Sequence, residues 1–135
     1  MLEFAPVLLV EDDETTLQFL GGVFRYCGVA DPDVAVSRAE ALERITSEDY
    51  AMIVLDLAIG ADAVLLLDDL RAKGCLANVV VIHPQQDERP AANLDGVFAV
   101  MEKPLPLDQL TLVIRRCLAG SRAGAEASGS AENTA

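Results

Sequence analysis

The sequence predicts a doubly wound α/β domain built on a five-stranded parallel sheet. Short apolar runs recur along the 135 residues and alternate with stretches of helical period. Breakers such as Gly28, Asp31-Pro32-Asp33 and Gly74 fall between them. Hydrophobic residues make up 52% of the chain and charged residues 24%, a balance that suits a folded domain rather than a disordered one. The length allows one sizeable core and is too short for two.

The elements follow in order. Val7 to Val10 is the first strand, and the helix after it places Leu17, Leu20, Phe24 and Cys27 on one face before Gly28 stops it. A second strand is expected around Val34 to Val36. Ser37-Arg38-Ala39-Glu40 has the form of a capping box and opens a helix carrying Leu42 and Ile45. Ala51 to Leu55 is continuously apolar, as a strand covered on both faces should be. Asp62 is expected to cap a third helix whose stripe is Ala63, Leu66, Leu67 and Leu70, ending at Arg71-Ala72-Lys73-Gly74.

Val79 to Ile82 and Val97 to Met101 supply the fourth and fifth strands. Between them lie Pro84, Pro90 and Gly96, which leave room for one or two helical turns near Pro90. The last helix opens at Pro106 and should bury Leu107, Leu110, Ile114 and Leu118. Repeated β–α units imply right-handed crossovers with helices on both sheet faces. The fold class is therefore flavodoxin-like, strand order 2-1-3-4-5, with a shortened fourth helix. Residues 1–119 form the domain, and the small, polar text of 120–135 reads as a disordered tail.

Charge is placed where such a fold binds ligands, at the carboxyl ends of its strands. Glu11-Asp12-Asp13 follows the first strand, Asp56 the third and Lys103-Pro104 the fifth. Two carboxylates about 4 Å apart repel by about 4 kcal/mol at an effective dielectric of about 20. One lysine does not balance three acids, so the cluster asks for a hard divalent cation such as Mg2+, held by carboxylates, water and phosphate oxygens. Asp13 and Glu14 read instead as acids favoured by a helix N-terminus.

With 22 acidic and 10 basic residues the net charge is −12. That argues against nucleic-acid or anionic-membrane partners, which need basic surface. Cys27, Cys75 and Cys117 lack metal-like spacing and sit among apolar neighbours, as reduced cysteines do. The start of the chain has no basic segment and no apolar run nears about 18 residues, so a cytoplasmic location is expected.

Taken together, Val7-Leu8-Leu9-Val10-Glu11-Asp12-Asp13-Glu14, Ile53-Val54-Leu55-Asp56-Leu57 and Lys103-Pro104 resemble the receiver domain of two-component response regulators over about residues 5 to 118. The resemblance implies that Asp56 accepts a phosphoryl group from a histidine kinase or phosphotransfer protein. Glu11, Asp12, Asp56 and the main-chain carbonyl of Ala58 would hold Mg2+. Lys103 would bind a phosphoryl oxygen, and Pro104 would follow a cis peptide, as in many members of the family. Phosphoryl transfer needs positioning and charge neutralisation above all, and these residue types supply both.

The departures bear on output. Where the family expects Thr or Ser at the end of the fourth strand stands His83, whose imidazole donates one hydrogen bond when neutral and two when charged. Val100 replaces the aromatic partner expected three residues before the lysine, and Phe98 lies about 7 Å further back. The loop after Asp56 lacks the family's proline and glycine. The expected function is a single-domain receiver, not an enzyme in its own right, signalling by protein–protein contact. The alternative is a pseudo-receiver that binds its partner without phosphorylation. A strand-end-aspartate phosphatase is disfavoured, because Asp56-Leu57-Ala58 is not Asp-x-Asp and no glycine-rich phosphate loop is present.

Overall fold

The computed structural model describes residues 6–85 and 93–126, with side chains as far as 119. The chain runs β1 (Val7–Val10), α1 (Glu14–Tyr26), β2 (Asp33–Ala35), α2 (Arg38–Ser47), β3 (Met52–Asp56), α3 (Ala61–Ala72), β4 (Asn78–His83), β5 (Ala99–Glu102) and α4 (Leu107–Glu126). A 3-10 turn, Leu57–Ile59, links β3 to α3. The strands form one parallel sheet in the order β2-β1-β3-β4-β5, as predicted.

Side-chain alternation along the strands divides the interior into two layers. Val7, Leu9, Met52, Val54, Val80, Ile82 and Met101 face α1 and α4, where they meet Leu20, Phe24, Leu110, Ile114 and Leu118. Leu8, Val10, Ile53 and Leu55 face α2 and α3, against Ala41, Leu66, Leu67 and Leu70. Covered on both sides, β1 and β3 are buried at every residue, which is why they read as unbroken apolar runs. Ser37 caps α2 by accepting from Glu40 N–H at 3.2 Å, while Glu40 reaches back to Val36 N–H at 3.0 Å. Arg38 clasps Asp69 with two hydrogen bonds of 2.8 and 3.2 Å and ties α2 to α3.

The structure corrects several expectations. Leu107 is 55% exposed; it occupies the first position of α4, before the helix turns its stripe of Leu110, Ile114, Cys117 and Leu118 onto the sheet. Asp62 does not cap α3. The 3-10 turn carries the chain to Gly60, whose φ of 105° is open to glycine, and the helix begins one residue later without a side-chain cap. Asp62 therefore lies inside the first turn, where the dipole still favours it. In α2 only Ala41 is fully buried, with Leu42 and Ile45 partly so.

β2 starts at Asp33 and β5 at Ala99, although Phe98 N–H already donates to the Val79 carbonyl at 2.7 Å. The short helix expected near Pro90 falls on 86–92, outside the described residues. α4 continues past Gly120 to Glu126, so its backbone is helical in a stretch assigned above to the tail. Ala119, Ala123 and Ala125 favour helix and offset the cost of about 1 kcal/mol for each glycine. Residues 127–135 lie outside the described residues.

Gly21 and Gly22 stand in the middle of α1, where each costs about 1 kcal/mol relative to alanine. A Cβ on Gly21 would meet nothing within 4 Å, and one on Gly22 only an Arg25 nitrogen at 4.0 Å. Packing inside the chain does not require either glycine.

The layer between sheet, α1 and α4 sets the stability. Phe24→Ala, at a fully buried position, should cost about 3–5 kcal/mol in urea denaturation. Leu107→Ala should stay within about 0.5 kcal/mol, as surface substitutions do.

Candidate functional site

The parallel register assembles the site. Val10 pairs with Leu55, and the next step along both strands brings Glu11 beside Asp56. Asp56 pairs with Ile82, and Ile82 with Met101. Glu11 continues the alternation of Val7 and Leu9, Asp56 that of Met52 and Val54, and Lys103 that of Met101. All three side chains thus rise on the α1–α4 face at the carboxyl end of the sheet.

Glu11 and Asp56 are 1% and 0% exposed. Glu11 Oε2 accepts from the backbone N–H groups of Asp12 and Asp13, both at 3.1 Å, which turns Oε1 towards the lysine. Asp56 Oδ1 accepts from Ala58 N–H at 2.8 Å, the cap of the 3-10 turn. Lys103 Nζ lies 2.5 Å from Asp56 Oδ2 and 4.0 Å from Glu11 Oε1. Among the described residues, those two oxygens are the only buried side-chain polar atoms without a hydrogen-bond partner; Oδ2 meets the ammonium as an ion pair alone. The Lys103–Pro104 peptide is cis.

Other candidates lie at the rim. Asp12 is exposed, and among the described residues no three His, Cys, Asp or Glu side chains gather closely enough to enclose a metal unaided. Ala58 contacts Asp56 through its N–H. Asp13 caps α1 by accepting from Thr16 N–H and Oγ1, both at 2.8 Å, which holds its carboxyl below the usual range. His83 ends β4 beside Glu102, and its backbone carbonyl accepts from Lys103 N–H at 2.9 Å. Its side chain follows the alternation of Val81 instead, and Nδ1 donates to the Pro84 carbonyl at 3.1 Å. Val100 and Phe98 are each 42% exposed.

One neighbouring feature was missed from the sequence. Thr15, Thr16, Phe19, Lys103, Pro104 and Leu105 line a hollow of about 310 Å3 beside the acids. The only signal for it was that the start of α1 and the Lys103-Pro104 turn both leave the same sheet edge.

Burial pushes the Glu11 carboxyl up, and the neighbouring Asp56 adds to that, carrying it to about 8 from an ordinary 4.5. Burial works against the Lys103 ammonium, but Asp56 and Glu11 outweigh it and its pKa rises. The sign for stability follows from linkage. Between about 4.5 and 8 folded Glu11 keeps a proton that the unfolded chain has released, so raising the pH favours unfolding. Urea midpoints measured without divalent cations should fall across that window, and Glu11→Gln should flatten the slope.

No family model and no curated protein matches the sequence. Solved structures do. The chain is 26% identical to a sensor protein from Polaromonas sp. JS666, covering 87% of this chain and 98% of that one at a TM-score of 0.75. It is 25% identical to the receiver domain of Francisella response regulator 1452, with the same coverage and a TM-score of 0.74. The signal receiver domain of an HD domain-containing protein from Pseudomonas fluorescens Pf-5 shares the fold, at 18% identity, 88% and 98% coverage and a TM-score of 0.77. Among the described residues no helix is long and apolar enough to cross a membrane. With nearly the whole of these domains covered, the chain has the fold of response-regulator receiver domains.

Proposed function

We propose that this receiver accepts a phosphoryl group on Asp56 and signals through protein–protein contacts. The observation that carries the reading is the pair of buried, orphaned oxygens, Glu11 Oε1 and Asp56 Oδ2, facing a single ammonium. Such oxygens suit a cation, and Mg2+ is normally held by one or two carboxylates with water completing its shell. Glu11 and Asp56 would hold it, with Asp12 and the Ala58 carbonyl at the rim. When bound, the ion neutralises charge on the carboxylates and on the incoming phosphoryl oxygens.

The chain's own residues account for the rest of the transfer. An Asp56 carboxylate oxygen attacks phosphorus while the P–N bond of a donor phosphohistidine breaks. The electron pair leaves on the imidazole, and an acyl phosphate remains on Asp56. Ala58 N–H fixes the carboxylate's orientation, so the attacking atom is positioned before the donor arrives. Lys103 then exchanges its contact with Asp56 for one with a phosphoryl oxygen. The donor is a histidine kinase or phosphotransfer protein, and a net charge of −12 argues against nucleic-acid or anionic-membrane partners.

A second reading, phosphorylation-independent partner binding, is favoured by His83. Its Nδ1 is engaged as a donor to Pro84, so a neutral ring has only an acceptor left at Nε2. A phosphoryl group is itself an acceptor, and the contact would require the charged ring. The half-exposed Val100 offers no aromatic ring to move in response.

Mass spectrometry after incubation with Mg2+ and acetyl phosphate should show one added phosphoryl group. Asp56→Asn should show none, and Lys103→Ala should slow the reaction by about a hundredfold. If no Mg2+-dependent mass change is seen in wild type, the phosphoacceptor reading is overturned. His83→Thr tests the output: beryllofluoride should shift amide resonances along β4 and β5 more widely than in wild type. Equally local shifts in both proteins would discard a switch role for this position.

A further inference from the structure

We propose that the pole of the sheet opposite Asp56 carries a second binding site, which takes an arginine and its apolar neighbour from a partner protein. A hollow of about 350 Å3 opens there between the ends of α2 and α3, lined by Ile45, Glu48, Asp49, Tyr50, Lys73 and Leu76. Tyr50 is 7% exposed and its hydroxyl donates to Asp33 at 2.6 Å, which gives the hollow a fixed aromatic wall. About 20 Å of strand separates Tyr50 from Asp56. A partner seated here leaves the acids and Lys103 open, so the site does not rest on the phosphoacceptor reading.

The sequence at this pole runs against local preference. The carboxyl end of a helix favours cations, yet α2 ends on Glu48-Asp49. The basic residue of its last turn, Arg44, is drawn to Asp33 at 3.7 Å. Among the described residues neither Glu48 nor Asp49 has an ion-pair partner. Nor do the carbonyls of Ile45, Thr46 and Ser47 accept a hydrogen bond there, since the Thr46 and Ser47 hydroxyls reach back to Leu42, Glu43 and Arg44.

The end of α3 is closed by contrast. Gly74 N–H donates to the Arg71 carbonyl at 3.1 Å and Cys75 N–H to the Leu70 carbonyl at 3.0 Å. Lys73 shares its charge with Asp69 on its own helix, where it helps Arg38 to hold that carboxyl low. The α2 end is therefore the electronegative side of the hollow. Cys75 and Ala77 pack against the α2–α3 layer, which leaves Leu76 between them 96% exposed at the rim.

Charge and shape name the occupant. The unsatisfied groups at the α2 end are all acceptors, and a guanidinium presents a flat fork of donors that also stacks on aromatic rings. Its apolar stem suits Ile45 and Ala77, and an adjacent apolar side chain would cover Leu76. A lysine ammonium lacks the plane and the fork. A second copy of this chain, with a net charge of −12, is repelled.

Nuclear magnetic resonance of the labelled full chain, titrated with the amide of acetyl-Leu-Arg-Leu, tests this. Amide shifts should gather over Ile45 to Tyr50 and Lys73 to Ala77, and saturate with a dissociation constant near about 1 mM. Lysine in place of the peptide's arginine should weaken binding about fivefold, and glutamate should abolish it. Glu48→Lys with Asp49→Lys suits the helix end and keeps the fold; it should weaken binding about tenfold. Leu76→Ser should weaken it about threefold. The absence of saturable shifts at this pole up to about 10 mM peptide, or equal binding of the glutamate peptide, overturns the proposal. Binding that survives the double charge exchange unchanged overturns it as well.

Discussion

Two carboxylates, Glu11 and Asp56, sit buried side by side with one ammonium between them, and the sheet edge is arranged to hold them there. Taking an ion out of water costs several kcal/mol even after relaxation. Three backbone N–H groups offset part of that: Asp12 and Asp13 on Glu11, Ala58 on Asp56. Lys103 offsets more, and a proton retained on Glu11 removes much of the remaining repulsion. The result depends on register. A one-residue slip of β1 or β3 would turn its acid to the α2–α3 layer, and the buried rows Leu9–Val54–Val80 and Val10–Leu55–Val81 prevent such a slip.

Much of this was legible before any coordinates. A strand covered on both faces must be apolar throughout, which made β1 and β3 plain, and Leu20, Phe24 and Leu66, Leu67, Leu70 could be read from helical period. Element ends were less legible because tertiary pairing decides them. Asp33 opens β2 because it lies opposite Leu8, and no local preference of aspartate would suggest that. Leu107 fits the period of Leu110 and Ile114, but the path through Pro104-Leu105-Pro106 fixes where the helix first touches the sheet. Asp62 looked like a cap because a 3-10 turn, invisible in the sequence, had already brought the chain to Gly60.

The site divides along the same line. Glu11, Asp56 and Lys103 could be named because charge after an apolar run is costly unless it converges on something, and strand alternation puts all three on one face. Asp12 shares the motif, yet its side chain is exposed while its N–H serves Glu11. Backbone contributions of that kind leave no trace in residue identity. The hydrogen bond from His83 to Pro84 depends on a rotamer, so the sequence showed the replacement without showing what the new ring does.

That replacement changes what can connect the acids to the β4–β5 edge. A hydroxyl at the end of β4 could follow a phosphoryl group directly, as a small donor. His83 is turned to the other side of the sheet by alternation and occupied by Pro84. What does join it to the site is backbone, the Lys103 N–H on its carbonyl at 2.9 Å. A displacement of Lys103 would therefore reach β4 through the main chain rather than through a side chain entering the pocket. Main-chain coupling of this kind requires neither a hydroxyl at position 83 nor an aromatic ring at position 100. The fold is shared with receivers at about a quarter identity. A scaffold shared at that distance requires the apolar pattern that fills its two layers, and fold alone does not set the chemistry at the strand ends.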